Sequence, residues 1–494
     1  MENIAVIIFN EKQLKMRIIE TRSGRFRVVN EIADKFDILK EIKDDCLLKP
    51  KTISNIVNVL KMYRKMIENF KVTKIIAVAS DIILNSRNYR GFFEEIYTNT
   101  GINFVTLPEE EIIKNVYAAV VNSIDNSKGF IIDIDSHTTY FIRYNRRTIL
   151  DSISIPYGST NLTELNESMA KMCDKIKKEI KKIPFLDTIE EDSLYVGMGS
   201  AFVDLGKIAK KIERYPLDID NNYVVSAETF DKVVSFVNTL DLEKVRKIKG
   251  ISEEGPTNIQ GGFAIIKAFM TVLNMTKVSI ATCTIMDGLI QTNLSGLAQE
   301  KFTDLLSNSL DNYYEFVNDA NSINSSVYSM ALILFKQLKV VHKLPRAYSK
   351  PLRIAAYMYD CGRRINYENY EKCGFDVILN SNIVGASQKE ILLGAFACEC
   401  QNLDNLNLSD WLKYKDIVSE EDLDAVRKLG VLVRLAVALN VSRKNVINDI
   451  VCDILGDSII MKTIVTGDPS FEILEGLKVS EDYKKVFKKN LQII

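Results

Sequence analysis

The chain has 494 residues, too many for one hydrophobic core, so three or four domains are expected. Lys and Arg number 64 against 65 Asp and Glu, a formal net charge of -1, which leaves no global field to draw in nucleic acid or an acidic membrane surface. No apolar run reaches the roughly 18 residues of a membrane span, and the opening MENIAVIIFNEKQ lacks the basic and small-residue features of a secretion signal, so a cytoplasmic protein is expected.

Residues 3–9 (NIAVIIF), 14–20 (LKMRIIE) and 26–30 (FRVVN) read as a β-meander of short apolar runs. A helix follows over about 51–70, with Ile53, Ile56, Val57, Leu60 and Tyr63 at helical spacing. Next come a buried strand at 75–80, a helix at 91–101, the strand INFVTL and the helix EEEIIKNVYAAVVNS. The layout restarts at residue 129 with the strands GFIIDID, TTYFIRY and TILDSISIPYG, which predicts two similar α/β halves with a cleft between them. An amphipathic helix over 162–183 ends in KIKKEIKKI, whose Lys175, Lys177, Lys178, Lys181 and Lys182 form a solvated face or border an anion groove. The strand SLYVGMGS meets the helix AFVDLGKIAKKI, and 227–292 read as mainly helical around Gly261 and Gly262.

From about 303 to 435 the pattern is helical throughout, which marks a domain boundary near residue 300. The remainder returns to short strands, VINDIVCDI, SIIMKTIV and SFEILE, and then a basic helix, DYKKVFKKNLQ. The division expected is therefore 1–124, 125–300, 301–435 and 436–494.

Asp133 ends a strand, and the chain turns through Ser136, His137, Thr138 and Thr139 into the next one. Actin-like ATPases and sugar kinases grip phosphate with such a strand, turn and strand: backbone N–H groups line the turn and an aspartate holds a metal. Glycines normally let that backbone approach the anion, and here there are none. Eight cysteines show no disulfide framework and lack zinc spacings, so Cys398 and Cys400 read as buried thiols, with a metal site the alternative. The two histidines, His137 and His342, are too few for a multi-histidine metal centre.

Several stretches resemble the exopolyphosphatase / guanosine pentaphosphate phosphatase (Ppx/GppA) family nearly end to end: TGINFVTLPEEE, SIPYGSTNLTEL, GISEEGPTNIQGG, MDGLI, LRIAAYMYDCG and YENYEKCGFDVILNSNIVGASQKE. The resemblance implies an α/β fold of two actin-like (ribonuclease H-like, ASKHA) domains, an all-α HD-like domain and a small α/β C-terminal domain. It also implies a polyphosphate or guanosine polyphosphate ligand, Mg²⁺ if the chain is active, and a homodimer. The family's active-site positions are eroded. Against its D-x-G-S-N-S loop, Ile8 stands at the aspartate and Asn10 at the glycine, with Lys12 and Gln13 beyond; against A-T-S-A-x-R, Ser80 keeps a hydroxyl while Asp81 and Leu84 stand at the next hydroxyl and the arginine. In the S-G-x-E-E-A motif Glu111 takes the first glutamate and Ile112 the catalytic second. In D-I-G-G-G-S-T-E, Asp133, Thr138 and Thr139 persist, Asp135, Ser136 and His137 replace the glycines, and Tyr140 replaces the glutamate. VGMGSA keeps Gly197 and Gly199, and the HD pair becomes Tyr359 and Asp360.

The resemblance thus assigns Glu111 and Asp133 as catalytic candidates and Asp133 as the metal candidate. Phosphate would meet Ser80, Ser136, Thr138, Thr139, Gly197 and Gly199, with Lys12 and Lys15 adding local charge. The expectation is weak or lost catalysis with retained phosphate-ligand binding. The alternatives are a Mg²⁺-dependent exopolyphosphatase using Asp133 and one glutamate of 109–111, and a purely structural or partner-binding relative.

Overall fold

The structure is a computed structural model that describes residues 2–146, 148–189, 193–240, 242–248, 250–252, 255–294, 304–317 and 323–494. Glu253, Glu254 and the expected boundary near residue 300 lie outside the described residues. The chain forms two compact units, Met1–Ala209 with Val224–Thr303, and Lys210–Tyr223 with Asp304–Ile494.

The first unit holds two sheets of the same plan. Strands β1 (Glu2–Phe9), β2 (Gln13–Arg22) and β3 (Arg25–Lys35) form an antiparallel meander, and β4 (Val72–Ala79) and β5 (Val105–Thr106) add in parallel beside β1, in the order β3-β2-β1-β4-β5. Strands β6 (Lys128–Ile134), β7 (Thr139–Asn145) and β8 (Thr148–Ile155) repeat the meander, joined by β9 (Tyr195–Met198), β10 (Tyr223–Ser226) and β11 (Lys277–Ile280) in the order β10-β11-β9-β6-β7-β8. Both faces of β1 are covered, so it reads as a continuous apolar run rather than an alternation. Ala5, Ile7 and Phe9 pack with Ile56, Leu60 and Tyr63 of the helix Pro50–Asn69. Ile4 and Val6, pointing the other way, pack with Met286, Leu289 and Ile290 of the helix Ile285–Leu294.

Two helices are exchanged between the halves. The helix Glu109–Val121 follows the first sheet in sequence, yet its Ile113, Val116 and Val120 pack on Ile131, Ile142 and Val196 of the second. The helix Ile285–Leu294 comes from the second half and covers the first sheet. They cross at Gly288, where a Cβ would lie 2.0 Å from the Asn115 carbonyl oxygen, and Thr292 donates to the Asn115 side chain at 2.8 Å. Only glycine permits so close a crossing.

In the second unit, Ile354 of the helix Ser349–Tyr357, Ala395 of Gln388–Glu399, and Leu429 and Leu432 of Glu420–Ala438 share one core with the small sheet β12 (Ile447–Leu455), β13 (Ser458–Val465) and β14 (Asn490–Ile493). The expected strand SFEILE is instead the helix Ser470–Leu477. It packs through Gly476, where a Cβ would lie 2.7 Å from the Ile493 side chain; so short an apolar run carries no decisive period. The helix expected over 162–183 is two, Ser159–Thr163 and Met169–Ile180, and the four-residue strand β11 interrupts the stretch read as helical.

Candidate phosphate-binding site

The two meanders present their first turns to one another. In the β1–β2 turn, the Asn10 carboxamide oxygen accepts from the Lys12 and Gln13 amides at 3.0 and 2.8 Å. This Asx turn satisfies with the protein's own side chain two N–H groups that a glycine would leave for an anion. Ile8, at the end of β1, packs among Ile4, Val6 and Met286.

The β6–β7 turn is held from behind. Ser159 and Thr160 amides donate to the Asp135 and Ser136 carbonyls at 2.9 Å, and the Asn161 side chain donates to His137 O at 3.0 Å. A Cβ on Gly158 would lie 2.3 to 2.5 Å from Asp135 O, His137 N and Ser136 C, so this turn and the segment after β8 form one packed body. Thr139 is fully buried and gives its hydroxyl to Tyr157 O at 2.7 Å. Gly197 and Gly199 are fixed by packing: a Cβ on the first would strike the Phe202 ring, and the second has φ +101° and abuts Ile134 O. Ser136 and Thr138 both lie in the turn.

Asp133 and Tyr140 are partners across β6 and β7. Burial, and then the charge of Asp135, pushes the Asp133 carboxyl up to about 8. Burial also pushes up the Tyr140 phenol, aided by the charges of Asp135, Asp133, Glu109 and Asp81. The charges of Glu109 and Asp81 therefore reach the Tyr140 phenol. Glu111, like Glu109, is exposed in the first turn of its helix, and Ile112 packs on the core. Ser80 is held at the end of β4, its amide bonded to Phe9 O at 2.8 Å. Carboxylates thus crowd the centre where phosphoryl charge would sit, and like charge repels.

Positive charge lies to one side. Lys12 donates to Thr160 at 3.2 Å, and Asn258 donates to the same hydroxyl at 2.8 Å. These residues line a cavity of about 680 Å³ together with Gln13, Lys35 and Thr163 and two carboxylates, Asp37 and Glu164. Lys15 is instead paired with Glu31 at 2.7 Å, beside the Arg17 pair with Asp287 at 2.5 Å. The sequence reading missed Lys35, Thr160 and Asn258. It also missed Glu11, which is 3% exposed and whose Oε1 lies 3.7 Å from His137 Nδ1. Its only signal was its place in the first turn.

A cation held by protein side chains alone does not fit these residues. Among those described, no three His, Cys, Asp or Glu side chains converge as a metal-holding group, and Asp133 favours its neutral form at neutral pH. The helical unit's Cys398 and Cys400 are fully buried, and all eight cysteines are free thiols.

The model of the Ppx/GppA phosphatase family matches residues 17–296, and that of its domain III matches residues 311–464. A guanosine-5'-triphosphate,3'-diphosphate pyrophosphatase of Aeromonas salmonicida is 19% identical over 402 residues, 78% of this chain and 79% of that one. A bifunctional 3-dehydroquinate synthase/phosphatase of Fusobacterium nucleatum is 23% identical over 281 residues, 53% of this chain and 42% of that protein's length. Two crystal structures share the fold: the Ppx/GppA family member of Aquifex aeolicus (TM-score 0.54, 18% identity, 60% of this chain and 99% of that one) and an exopolyphosphatase of Cytophaga hutchinsonii (TM-score 0.53, 14% identity, 60% and 98%).

Proposed function

The chain belongs to the Ppx/GppA phosphatase family, and from that premise we propose that it binds a polyphosphate chain, free or carried on a guanosine nucleotide, and hydrolyses it weakly or not at all. The cavity lined by Lys12 and Lys35 beside the two turns carries the reading. A polyanion there meets the ammonium groups of Lys12 and Lys35 and the hydroxyls of Thr160 and Thr163, with Asp37 and with Glu164, which pairs with Lys43, on the same lining. The loss of chemistry follows from apolar Ile8, Leu84 and Ile112 at positions where the family places charge, because positioned charge supplies most of the acceleration in phosphoryl transfer. A cytoplasmic setting belongs to the same reading; among the described residues no helix is long and apolar enough to cross a membrane.

The nearness of Glu109 to Tyr140 favours a second reading, a slow Mg²⁺-dependent exopolyphosphatase in which a glutamate of 109–111 serves as base beside Asp133. Phosphate release from polyphosphate and from guanosine pentaphosphate with Mg²⁺ separates the two. Turnover well below about one per second is expected. Faster release that Asp133→Ala abolishes would overturn the binding reading in favour of the enzyme.

A further inference from the structure

Where the family's second turn carries glycines, this one carries His137, and where its first turn is uncharged, this one carries Glu11. Glu11 Oε1 and His137 Nε2 are both buried without a hydrogen-bond partner. Such groups cost free energy unless something supplies the missing bond. They belong to opposing turns and meet at 3.7 Å, Glu11 Oε1 to His137 Nδ1. That is longer than a hydrogen bond, as site contacts commonly are before a ligand tightens them. Nδ1 faces the carboxylate, so Nε2 lies across the ring from it, one imidazole's width further on.

We infer that His137, held by Glu11, is the side chain that meets a phosphate oxygen between the two turns, replacing the glycine amides the turns have lost. The inference rests on the proposed phosphate binding and adds its recognition residue. To give one N–H to each anion, Nδ1 to Glu11 and Nε2 to phosphate, the ring carries a proton on both nitrogens. The charged groups on the elements around the ring are Glu11 and Lys12 on the first turn, Asp37 next to the residue that bonds Glu11 O, and Asp135 on its own turn. Glu11 is a positioning residue: it fixes which nitrogen is turned away from the carboxylate.

The chain has only two histidines, so imidazole ¹H–¹⁵N spectra of the full-length protein resolve each of them. Sodium tripolyphosphate should move the His137 signals and leave those of His342 in place. His137→Gln should weaken tripolyphosphate binding about tenfold, the scale of one hydrogen bond to a charged group. Glu11→Gln should change the tautomer signature of free His137, which Lys12→Ala should not. Saturable binding that leaves the His137 signals unmoved overturns this inference while the phosphate-binding reading stands. No saturable binding to the wild-type chain overturns both. Because the decisive spectrum is of the wild-type protein, a variant that misfolds does not decide the question.

Discussion

The chain's two histidines occupy opposite kinds of environment. His342, in the helical unit, is fully buried; Leu344 N–H donates to its Nδ1 at 2.8 Å, Nε2 gives its proton to Phe335 O at 2.7 Å, and the ring stacks on Phe335 at 4.4 Å. The HD-like position is packed, with one polar atom left over: Gln401 donates to Tyr359 O at 3.0 Å and to Cys398 O at 2.9 Å, Gly374 packs against the Cys398 sulfur, and Arg363, over the Tyr359 ring at 5.6 Å, keeps its Nε without a hydrogen-bond partner. His137 and Glu11 in the actin-like unit instead keep buried polar atoms unpaired. Both regions depart from the family's chemistry. Around His342 the polar groups have been repacked into a satisfied core, whereas Glu11 and His137 retain unmet polar demand.

The largest expected effect breaks the comparison if it fails. His342→Ala removes a stacked ring and leaves Phe335 O and Leu344 N–H unpaired, which should cost about 3 kcal/mol or more. The single tryptophan, Trp411, is buried in the same unit, so its fluorescence in a urea titration reports that loss. His137→Ala, followed by circular dichroism, should change stability by no more than about 1 kcal/mol. An equal loss would show that His137 is a packing residue as well.

A second effect, in pH, has opposite signs in the two units. Burial lowers the His342 pKa from its ordinary 6.5, so its contribution is present above that value and is lost as pH falls through the folded pKa. Asp133 is raised from 3.8 to about 8, so its contribution is full below 3.8 and is lost as pH rises through about 8. Glu399, pushed up to about 7 by burial, follows the Asp133 direction within the helical unit, so single variants are needed to separate them. In calorimetry, Asp133→Asn should stabilise the protein more at pH 8.5 than at pH 5. Each unit of displacement is worth about 1.4 kcal/mol, so even part of the shift is measurable. A difference that does not change with pH would mean that Asp133 is ionised throughout.

Much of the first unit was legible because both meanders and the helices between them carry clear periods, from NIAVIIF to the Ile53–Tyr63 spacing. The four-residue strands β10 and β11 were not, since so short a run carries no period. The site was legible as a pair of turns, not as chemistry. That the Asn10 side chain occupies the Lys12 and Gln13 amides, that the charge of Glu109 reaches the Tyr140 phenol, and that Lys15 pairs with Glu31 all depend on side-chain direction. Glu11 and His137 lie 126 residues apart, and only the facing of two separately folded sheets brings them together.

Within the first unit, the lysines differ in where they lie. Lys12 lines the cavity whereas Lys15 lies 2.7 Å from Glu31, so Lys12→Ala should lower tripolyphosphate affinity about tenfold and Lys15→Ala less than about threefold. Equal losses would extend the site along β2.

The smallest effect is expected from the lysines of the helix Met169–Ile180 and the turn after it. The helix buries Met172, Cys173, Ile176 and Ile180 on one side and leaves its charges outside that face. Lys175 pairs with Glu167 at 2.9 Å, Lys177 with Asp174 at 3.5 Å and Lys182 with Glu179 at 2.7 Å, and none of the three lines the cavity. Each local pair cancels much of the field a distant polyanion would feel, and salt screens the remainder beyond about 10 Å. Replacing all three with glutamine should therefore change tripolyphosphate affinity by less than about twofold at ordinary ionic strength, below the loss from Lys12→Ala alone. If the triple variant instead matches Lys12→Ala, and the loss disappears in high salt, the bound chain runs out of the cleft and along this helix.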